Sequence, residues 1–315
     1  MKAIVYNAFG NTDVLKLEDI NPPKISPFNM LINVSYAGVN PIDWKIREGY
    51  LDGFIDYNFP IIPGWDVSGT VVKTGSNVKK FKPGDSIYAM TVSNPIGIGT
   101  YAQQTLVKED DCSLIPKTID ESIAAGIPLA SIAANDGLFR LGKLKKGQKV
   151  LIHQAAGGVG TFAIQLAIQA GAIVYSTCST NNIKTVNTFG NHRVIDYTNE
   201  NFIDVINNLE PEGLDIVLDG VGGETFINSH KVIKPNGIMV TMGDNVNTDL
   251  ANKYNINSVF LDSTPNGLWL SNLAKNIDNN NFILPKTKIM NLCDAYKAHE
   301  LSKGGHVSGK IVLKI

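Results

Sequence analysis

The sequence predicts an α/β protein: a β-rich domain, completed by the C-terminal tail, together with a doubly wound parallel-sheet domain. Three observations predict it. Residues 1–115 break into short β-branched runs punctuated by Pro and Gly clusters. From about residue 119 the pattern changes to alternating strands and helices, the succession of a parallel sheet. Within that second region, Val150-Leu-Ile-His-Gln-Ala-Ala-Gly-Gly-Val-Gly160 runs from an apolar strand into a turn of small residues and then into a helical pattern.

In the first region the clearest strands are Ile4-Val-Tyr6, Met30–Ser35, Val67–Val72, Ser86–Ala89 and Gln104–Val107. Turn clusters such as Asn21-Pro-Pro23 and Lys82-Pro-Gly-Asp85 separate them. Asp120 to Leu141 is mostly helical in pattern. Strand 149–154, helix 159–170, strand 172–177, helix 182–189, strand Val194-Ile195 and helix 199–209 follow. Strand Leu214–Leu218, a helix from about 223 and strand Gly237–Thr241 complete the alternation. After about residue 265 a helix–strand–helix–strand tail is expected. Its strands, Phe282-Ile-Leu284 and Lys310–Ile315, are expected to return to the β-rich domain.

Bulk properties narrow the function classes. A length of 315 residues suggests about two domains, and 43% hydrophobic with 18% charged residues describes an ordinary globular chain. The net charge of −1 gives no electrostatic reason to expect nucleic acid or an anionic membrane as partner. No 18-residue apolar span or signal-peptide pattern is present. Cys112, Cys178 and Cys293 are widely spaced and odd in number, which fits a reducing cytosol.

The glycine turn is the motif that carries chemistry. Ala155, Gly157 and Gly160 keep the spacing of G-x-G-x-x-G with the first Gly replaced. A strand that ends in such a turn at a helix N-terminus presents backbone N–H groups and the positive end of the helix dipole to a pyrophosphate. Gly-rich strand-to-helix turns also arise from packing alone. Cofactor choice is read at the end of the next strand, where NAD enzymes place an acid on the ribose 2′-OH. No Asp or Glu occurs between Ala172 and Ile195, and Tyr175–Lys184 offers hydroxyls, amides and one Lys. That composition favours the 2′-phosphate of NADP. A polar strand end without a phosphate role is the other reading.

Metal chemistry is disfavoured. His153, His192, His230, His299 and His306 are scattered, and there is no C-x-x-C. No G-x-S-x-G or reactive-Cys motif supports a nucleophile. A polar cluster, Asn40-Pro-Ile-Asp43-Trp44-Lys45, follows a strand end. Its side chains either project towards a cleft or form an Asx turn in which Asp43 caps a short helix.

These motifs together resemble the medium-chain dehydrogenase/reductase superfamily, in its zinc-free quinone oxidoreductase and enone reductase branch. The resemblance rests on Gly38–Gly49, Ile62–Val71, Pro83-Gly-Asp85, Gly99–Ala102, Ala155–Gly160, Val194–Tyr197, Asp219–Glu224 and Gly305–Leu313, in the expected order over almost the whole chain. Zinc enzymes of the superfamily carry Cys near Asn40, Gly-His-Glu where Gly64-Trp65-Asp66 stands, and a four-Cys lobe that this chain lacks. The segment Ser179-Thr180-Asn181-Asn182 lacks the base that often helps to hold the 2′-phosphate, and Ser308 replaces a family Arg.

The resemblance implies a GroES-like domain over 1–118, completed by 266–315, and a Rossmann domain over 119–265. The nicotinamide is expected in the cleft between them, facing Asn40, Asp43, Lys45 and Trp65, with Tyr50 or water as proton source. The cofactor set expected is Lys45, Ala156, Gly157, Gly158, Val159, Gly160, Ser179, Thr180, Asn181, Asn182, Lys184, Tyr197, Gly220, Val221, Gly243, Phe260, Leu261 and Lys310. The implied activity is NADPH-dependent reduction of a quinone, enal or enone in the cytosol, by a homodimer joined at the Rossmann sheet edge around Val259–Leu261. A weakly catalytic NADPH-binding sensor or structural protein, or an enoyl-thioester reductase, are the alternatives.

Overall fold

The computed structural model describes residues 1–305 and 307–315; His306 lies outside the described residues. The β-branched runs become strands, and the chain passes through β1 (Lys2–Val5), β2 (Lys16–Asp19), β3 (Asn29–Val39), α1 (Pro41–Arg47), β4 (Asp66–Thr74), β5 (Ser86–Met90), β6 (Gln104–Lys108) and β7 (Cys112–Leu114). Helices α2 (Glu121–Ala124) and α3 (Pro128–Asn135) follow, and Asp136–Leu141 continues as a wider π-helical turn. The alternating region is β8 (Lys149–Ile152), α4 (Gly158–Gln169), β9 (Ile173–Cys178), α5 (Ile183–Asn187), β10 (Arg193–Asp196), α6 (Phe202–Leu209), β11 (Leu214–Asp219), α7 (Gly223–Ser229), β12 (Ile233–Thr241), α8 (Thr248–Lys253) and β13 (Asn257–Phe260). The tail is α9 (Gly267–Asp278), β14 (Thr287–Asn291), α10 (Ala295–Lys303) and β15 (Lys310–Lys314).

Two compact units result: Met1–Ile132 with Thr264–Asn281 and Lys286–Ile315, and Ala133–Ser263 with Phe282–Pro285. In the first unit, β1 and β2 form a hairpin-like pair, and a larger sheet runs β14-β15-β3-β4-β5-β7, with β6 also on β3. All its pairs are antiparallel except β14 with β15. Alternation along β3 and β4 sends Met30, Ile32, Val34, Val67 and Val71 into one apolar cluster with Ile87 and Val107. Residues 119–132, read from sequence as the start of the second domain, pack with the first. Ser68 Oγ donates to Glu121 O at 2.8 Å, and the Leu129 N–H donates to Asp66 Oδ1 at 2.8 Å.

The second unit is a six-stranded parallel sheet ordered β10-β9-β8-β11-β12-β13. Leu151, Tyr175, Ile195, Val217 and Met239 from five of its strands share a core with Ile206 and Phe226 from the covering helices. The strand expected at Phe282-Ile-Leu284 is not one. This segment is extended coil belonging to the second unit. Ile283 N–H donates to Gln165 Oε1 at 2.8 Å, and Gln165 Nε2 donates to Ile283 O at 2.9 Å. Phe282 sits 6.0 Å from the ring of Phe162. One side-chain amide thus satisfies the backbone that a neighbouring strand would otherwise pair, and Pro285 has no N–H with which to extend a ladder. The tail strand is β14, a few residues later. No helix among the described residues is long and apolar enough to cross a membrane.

Candidate functional site

In the second unit, the chain lays β9 and β10 on one side of β8, then returns to lay β11, β12 and β13 on the other. The carboxyl ends of β8 and β11 therefore flank a topological switch point, where open α/β sheets hold ligands. The β8 strand leaves this edge through Gln154, whose φ is +55°, and Gly157 caps α4 in an extended conformation. Gly157 N–H donates to Gln154 O at 2.9 Å, and the α4 bonding starts with Thr161 N–H to Gly157 O at 3.0 Å. The N–H groups of Gly158, Val159 and Gly160 thus fall in the first turn, where a helix offers no acceptor of its own.

The two glycines differ. A Cβ on Gly160 would stand 2.5 Å from Gln154 O and 2.8 Å from Ala155 Cα, so the backbone forbids any larger residue there. A Cβ on Gly157 would meet nothing closer than Gln154 O at 3.2 Å. Gly160 is required by packing, whereas Gly157 borders space that the chain itself nearly leaves open.

Two further loops reach the same edge. Asp219, buried at the end of β11, accepts from Val221 N–H at 2.9 Å, Gly222 N–H at 3.1 Å and Thr241 Oγ1 at 3.3 Å. Burial raises its carboxyl above the usual range. A Cβ on Gly243 would lie 2.5 Å from Gly222 N, and one on Gly220 would lie 3.0 Å from Gln154 Oε1. The expected residues Ala156 to Gly160, Gly220, Val221 and Gly243 therefore converge. Asp219, which holds two of these loops, was not among them. Its signal was an acid directly after the apolar run Ile216-Val-Leu218 at the strand's carboxyl end.

At the end of β9, Asn182 Nδ2 donates to Ser179 Oγ at 3.0 Å, while Asn181 and Lys184 are exposed. Thr180 Oγ1 donates to Asp196 Oδ2 at 2.7 Å. Asp196 ends β10 opposite Cys178, one residue beyond the stretch searched for acids, and exposed Tyr197 follows it. On the outer strand β13, Phe260 is exposed, and Leu261 just beyond it is buried beside Gly137.

The first unit holds the remaining expected residues. Asn40 caps α1, Pro41 takes the first helical position, and Asp43 closes a capping box by accepting from Asn40 N–H at 2.8 Å. Asp43 Oδ2 also accepts from Tyr101 Oη at 3.0 Å. Its Oδ1 has no partner, and burial pushes its pKa up to about 7. The structure thus supports the capping role for Asp43 and leaves one of its oxygens available. Asn40, expected from sequence to face the nicotinamide, is not a free donor, because both ends of its amide are engaged. Its Nδ2 donates to Asp66 Oδ2 at 2.9 Å, and its Oδ1 accepts from Lys310.

Lys310, expected at the cofactor, is buried in the first unit, where it donates to Val39 O at 3.1 Å and stands 3.9 Å from Asp66. Burial lowers its pKa and raises that of Asp66. Lys45 Nζ lies 5.9 Å from the Trp44 ring, and the exposed Tyr50 meets that ring edge-on at 5.7 Å. Trp65 is half-buried and lines a small cavity with Tyr6, Asp43, Ile61, Ile96 and Ile98. Tyr6 Oη is buried without a partner.

His153 is held between Thr177 Oγ1 and Ser229 Oγ, each at 2.9 Å, and burial pushes it down to about 3. His299 packs against Arg47 and is likewise pushed down to about 3. Among the described residues, no group of three or more His, Cys, Asp or Glu is placed to hold a metal ion.

Two family models match the chain: the alcohol dehydrogenase GroES-like domain over residues 26–117 and the zinc-binding dehydrogenase over residues 189–313. An NADPH-dependent alkenal/one oxidoreductase of Arabidopsis thaliana is 40% identical over 249 residues, 77% of this chain. That match spans 62% of the relative's own length. The quinone-oxidoreductase homolog of spinach chloroplasts is 30% identical over 100% of this chain and 98% of its own. Among solved structures, the quinone oxidoreductase from Coxiella burnetii superposes with a TM-score of 0.90 at 33% identity, covering 100% of this chain and 99% of its own. A mycobacterial protein solved with NADPH reaches a TM-score of 0.90 at 25% identity, covering both chains fully (100%).

Proposed function

Because the chain belongs to the medium-chain dehydrogenase/reductase superfamily, in its quinone oxidoreductase and enone reductase branch, we propose that it uses NADPH to reduce a quinone or an α,β-unsaturated carbonyl without a metal. The observation that carries this is the convergence of the 155–160 turn with Gly220–Val221 and Gly243 at the switch point of the parallel sheet. The residues fit a dinucleotide. Gly157 leaves space that a side chain would fill, and the first-turn N–H groups of α4 suit a pyrophosphate. In this reading Gly158, Val159 and Gly160 hold the pyrophosphate, and Ser179, Thr180, Asn181, Asn182, Lys184 and Tyr197 line the adenosine end.

When bound, the nicotinamide supplies a hydride. The chain's own residues position the acceptor and handle charge and proton. In an enone, charge develops on the carbonyl oxygen, where a few oriented donors replace a Lewis acid. Lys45 and Tyr50 are the donors we assign, with Tyr50 Oη the proton source. Asn40, engaged at both ends by Asp66 and Lys310, is a positioning residue that fixes the β3–α1 corner. Trp65, standing where zinc enzymes carry His, gives the cavity an apolar wall. We further assign a reducing compartment such as the cytosol, on three free cysteines, and a homodimer paired along β13, an edge strand that exposes Phe260.

The experiment is NADPH oxidation followed at steady state against a panel of quinones, enals and enones, with NADPH binding measured by calorimetry on the same preparation. Turnover of at least one acceptor class is expected. Binding without turnover would leave a sensor or structural protein, and absence of binding would remove the whole reading.

A further inference from the structure

We propose that Asp196 is a specificity-determining residue that sets the balance between NADPH and NADH by acting against the 2′-phosphate. This rests on the dinucleotide reading above and concerns its adenosine end.

The parallel pairing of β9 with β10 places Asp196 opposite Cys178, so a carboxylate stands beside the end of β9 although β9 and its following turn contain no acid. In dinucleotide-binding sheets that strand end is where the ribose 2′ position is read. Four donors surround the carboxylate. Oδ1 accepts from Thr198 N–H at 3.1 Å and Thr198 Oγ1 at 2.6 Å. Oδ2 accepts from Thr180 Oγ1 at 2.7 Å and Asn199 Nδ2 at 2.8 Å. A carboxylate has about four lone-pair sites, so this one is filled and ionised. These hydrogen bonds hold its pKa down to about 2.

Two consequences follow. Thr180 Oγ1 lies 2.7 Å from Asp196 Oδ2 and 2.6 Å from Thr198 Oγ1, so its single hydroxyl proton already has acceptors within this loop, and donating it to a phosphate means giving up the bond to Asp196. The carboxylate's charge also repels a dianionic phosphate brought to the same strand end, whereas the neutral 2′-OH of NADH meets no such penalty. Other cations are few. Lys184 is exposed on the next helix, and the nearby Arg193 is paired with Glu200. Asn182, which lacks charge, donates to Ser179 instead. The same residues leave NADH without a 2′-OH acceptor at Asp196, whose lone pairs are taken. Asp196 therefore weakens NADPH without building a dedicated NADH site, which narrows the preference between the two cofactors.

The test is calorimetric titration of wild type and Asp196→Asn with NADPH, NADH, 2′,5′-ADP and ADP, with thermal melts of both proteins. Asn keeps an oxygen for Thr180 but removes the charge. The expected result is tighter NADPH and 2′,5′-ADP binding by about three- to fivefold, the size of an exposed charge–charge interaction, with NADH and ADP unchanged. Asp196→Ser gives the same comparison should the Asn variant melt early. Equal tightening of all four ligands, or no change in any, overturns the assignment of Asp196 while leaving the dinucleotide site intact. A wild-type protein that binds none of the four overturns the site itself, and this inference with it.

Discussion

Gly157 and Gly160 are three residues apart in one turn, yet the structure assigns them opposite sensitivities. At Gly160 an added Cβ would stand 2.5 Å from Gln154 O and 2.8 Å from both Ala155 Cα and Ala155 O. All three are backbone atoms, so Gly160→Ala must lift the start of α4 off the end of β8. Overpacking of this kind costs about 1–3 kcal/mol. With no flexible side chain to yield, we expect about 2–3 kcal/mol, a fall of roughly 8–12 °C in the melting of the second unit. At Gly157 the nearest atoms are Gln154 O at 3.2 Å and Gln154 Cγ at 3.4 Å, and φ is −76°, a value any residue adopts. Gly157→Val therefore loses its helix-capping preference, about 1 kcal/mol, or roughly 4 °C, together with a small shift that relieves the 3.2 Å approach to Gln154 O. Its methyl groups enter the space assigned to the pyrophosphate, so NADPH affinity should fall by more than about a hundredfold, close to 3 kcal/mol. Differential scanning calorimetry and NADPH titration on the two variants separate these effects. A Gly157→Val protein with wild-type NADPH affinity would show that the turn does not hold the cofactor. A Gly160→Ala protein that melts with wild type would refute the packing argument.

Burial raises Asp43 from its unfolded value to about 7. The folded state therefore holds a proton that the unfolded chain releases, and this contribution to stability is full below about pH 4 and fades as pH rises through 7. Asp43→Asn, which mimics the protonated form, should lose less stability than wild type in urea titrations between pH 5 and 8; parallel curves would contradict the raised pKa. Lys310→Met leaves Asp66 buried without its cation and should cost about 3–5 kcal/mol by denaturant midpoint. Adding Asp66→Asn should recover part of that loss, and a silent single variant would refute the pairing. Asn182→Lys supplies a charged partner for the 2′-phosphate and should tighten NADPH about fivefold or more in a fluorescence titration, with NADH as the control. Prolonged dialysis against a chelator should leave the turnover rate unchanged; loss restored by zinc would end the metal-free mechanism.

What was legible in the sequence is what travels along one strand or one turn. Alternation in Met30–Ser35 and Val67–Val72 marked β3 and β4, and the small residues of Ala155–Gly160 marked the turn into α4, because both signals are local. Phe282-Ile-Leu284 carried the same apolar signal, but its backbone is satisfied by the side chain of Gln165, a partner 118 residues away. Asp196 escaped for a related reason. The acid-free stretch from Ala172 ends at Ile195, one residue before Asp196 on β10, and only the parallel pairing with β9 brings that acid opposite Cys178. The Asn40–Asp66–Lys310 network joins residues up to 270 positions apart, so no local pattern announces that Asn40's amide is already engaged. The resemblance named Asn40 and Lys310 separately, and only the fold places them on each other.

Strand β15 is flanked by β14 and β3, inside the larger sheet rather than at its rim. Its register sets Ile311 against Val39 and Leu313 against Ala37, so the first unit lacks an interior strand until residues 310–314 have been made. The second unit needs only a nearly continuous middle stretch, from Ala133 to Ser263, with Phe282–Pro285 added later. During translation the parallel sheet can therefore mature while β3 still waits with an open edge, exposing Ala37 and Val39 of a cluster that β15 later closes. Loss of residues 310–314 should therefore open the first unit's sheet between β14 and β3 while leaving every strand of the parallel sheet in place.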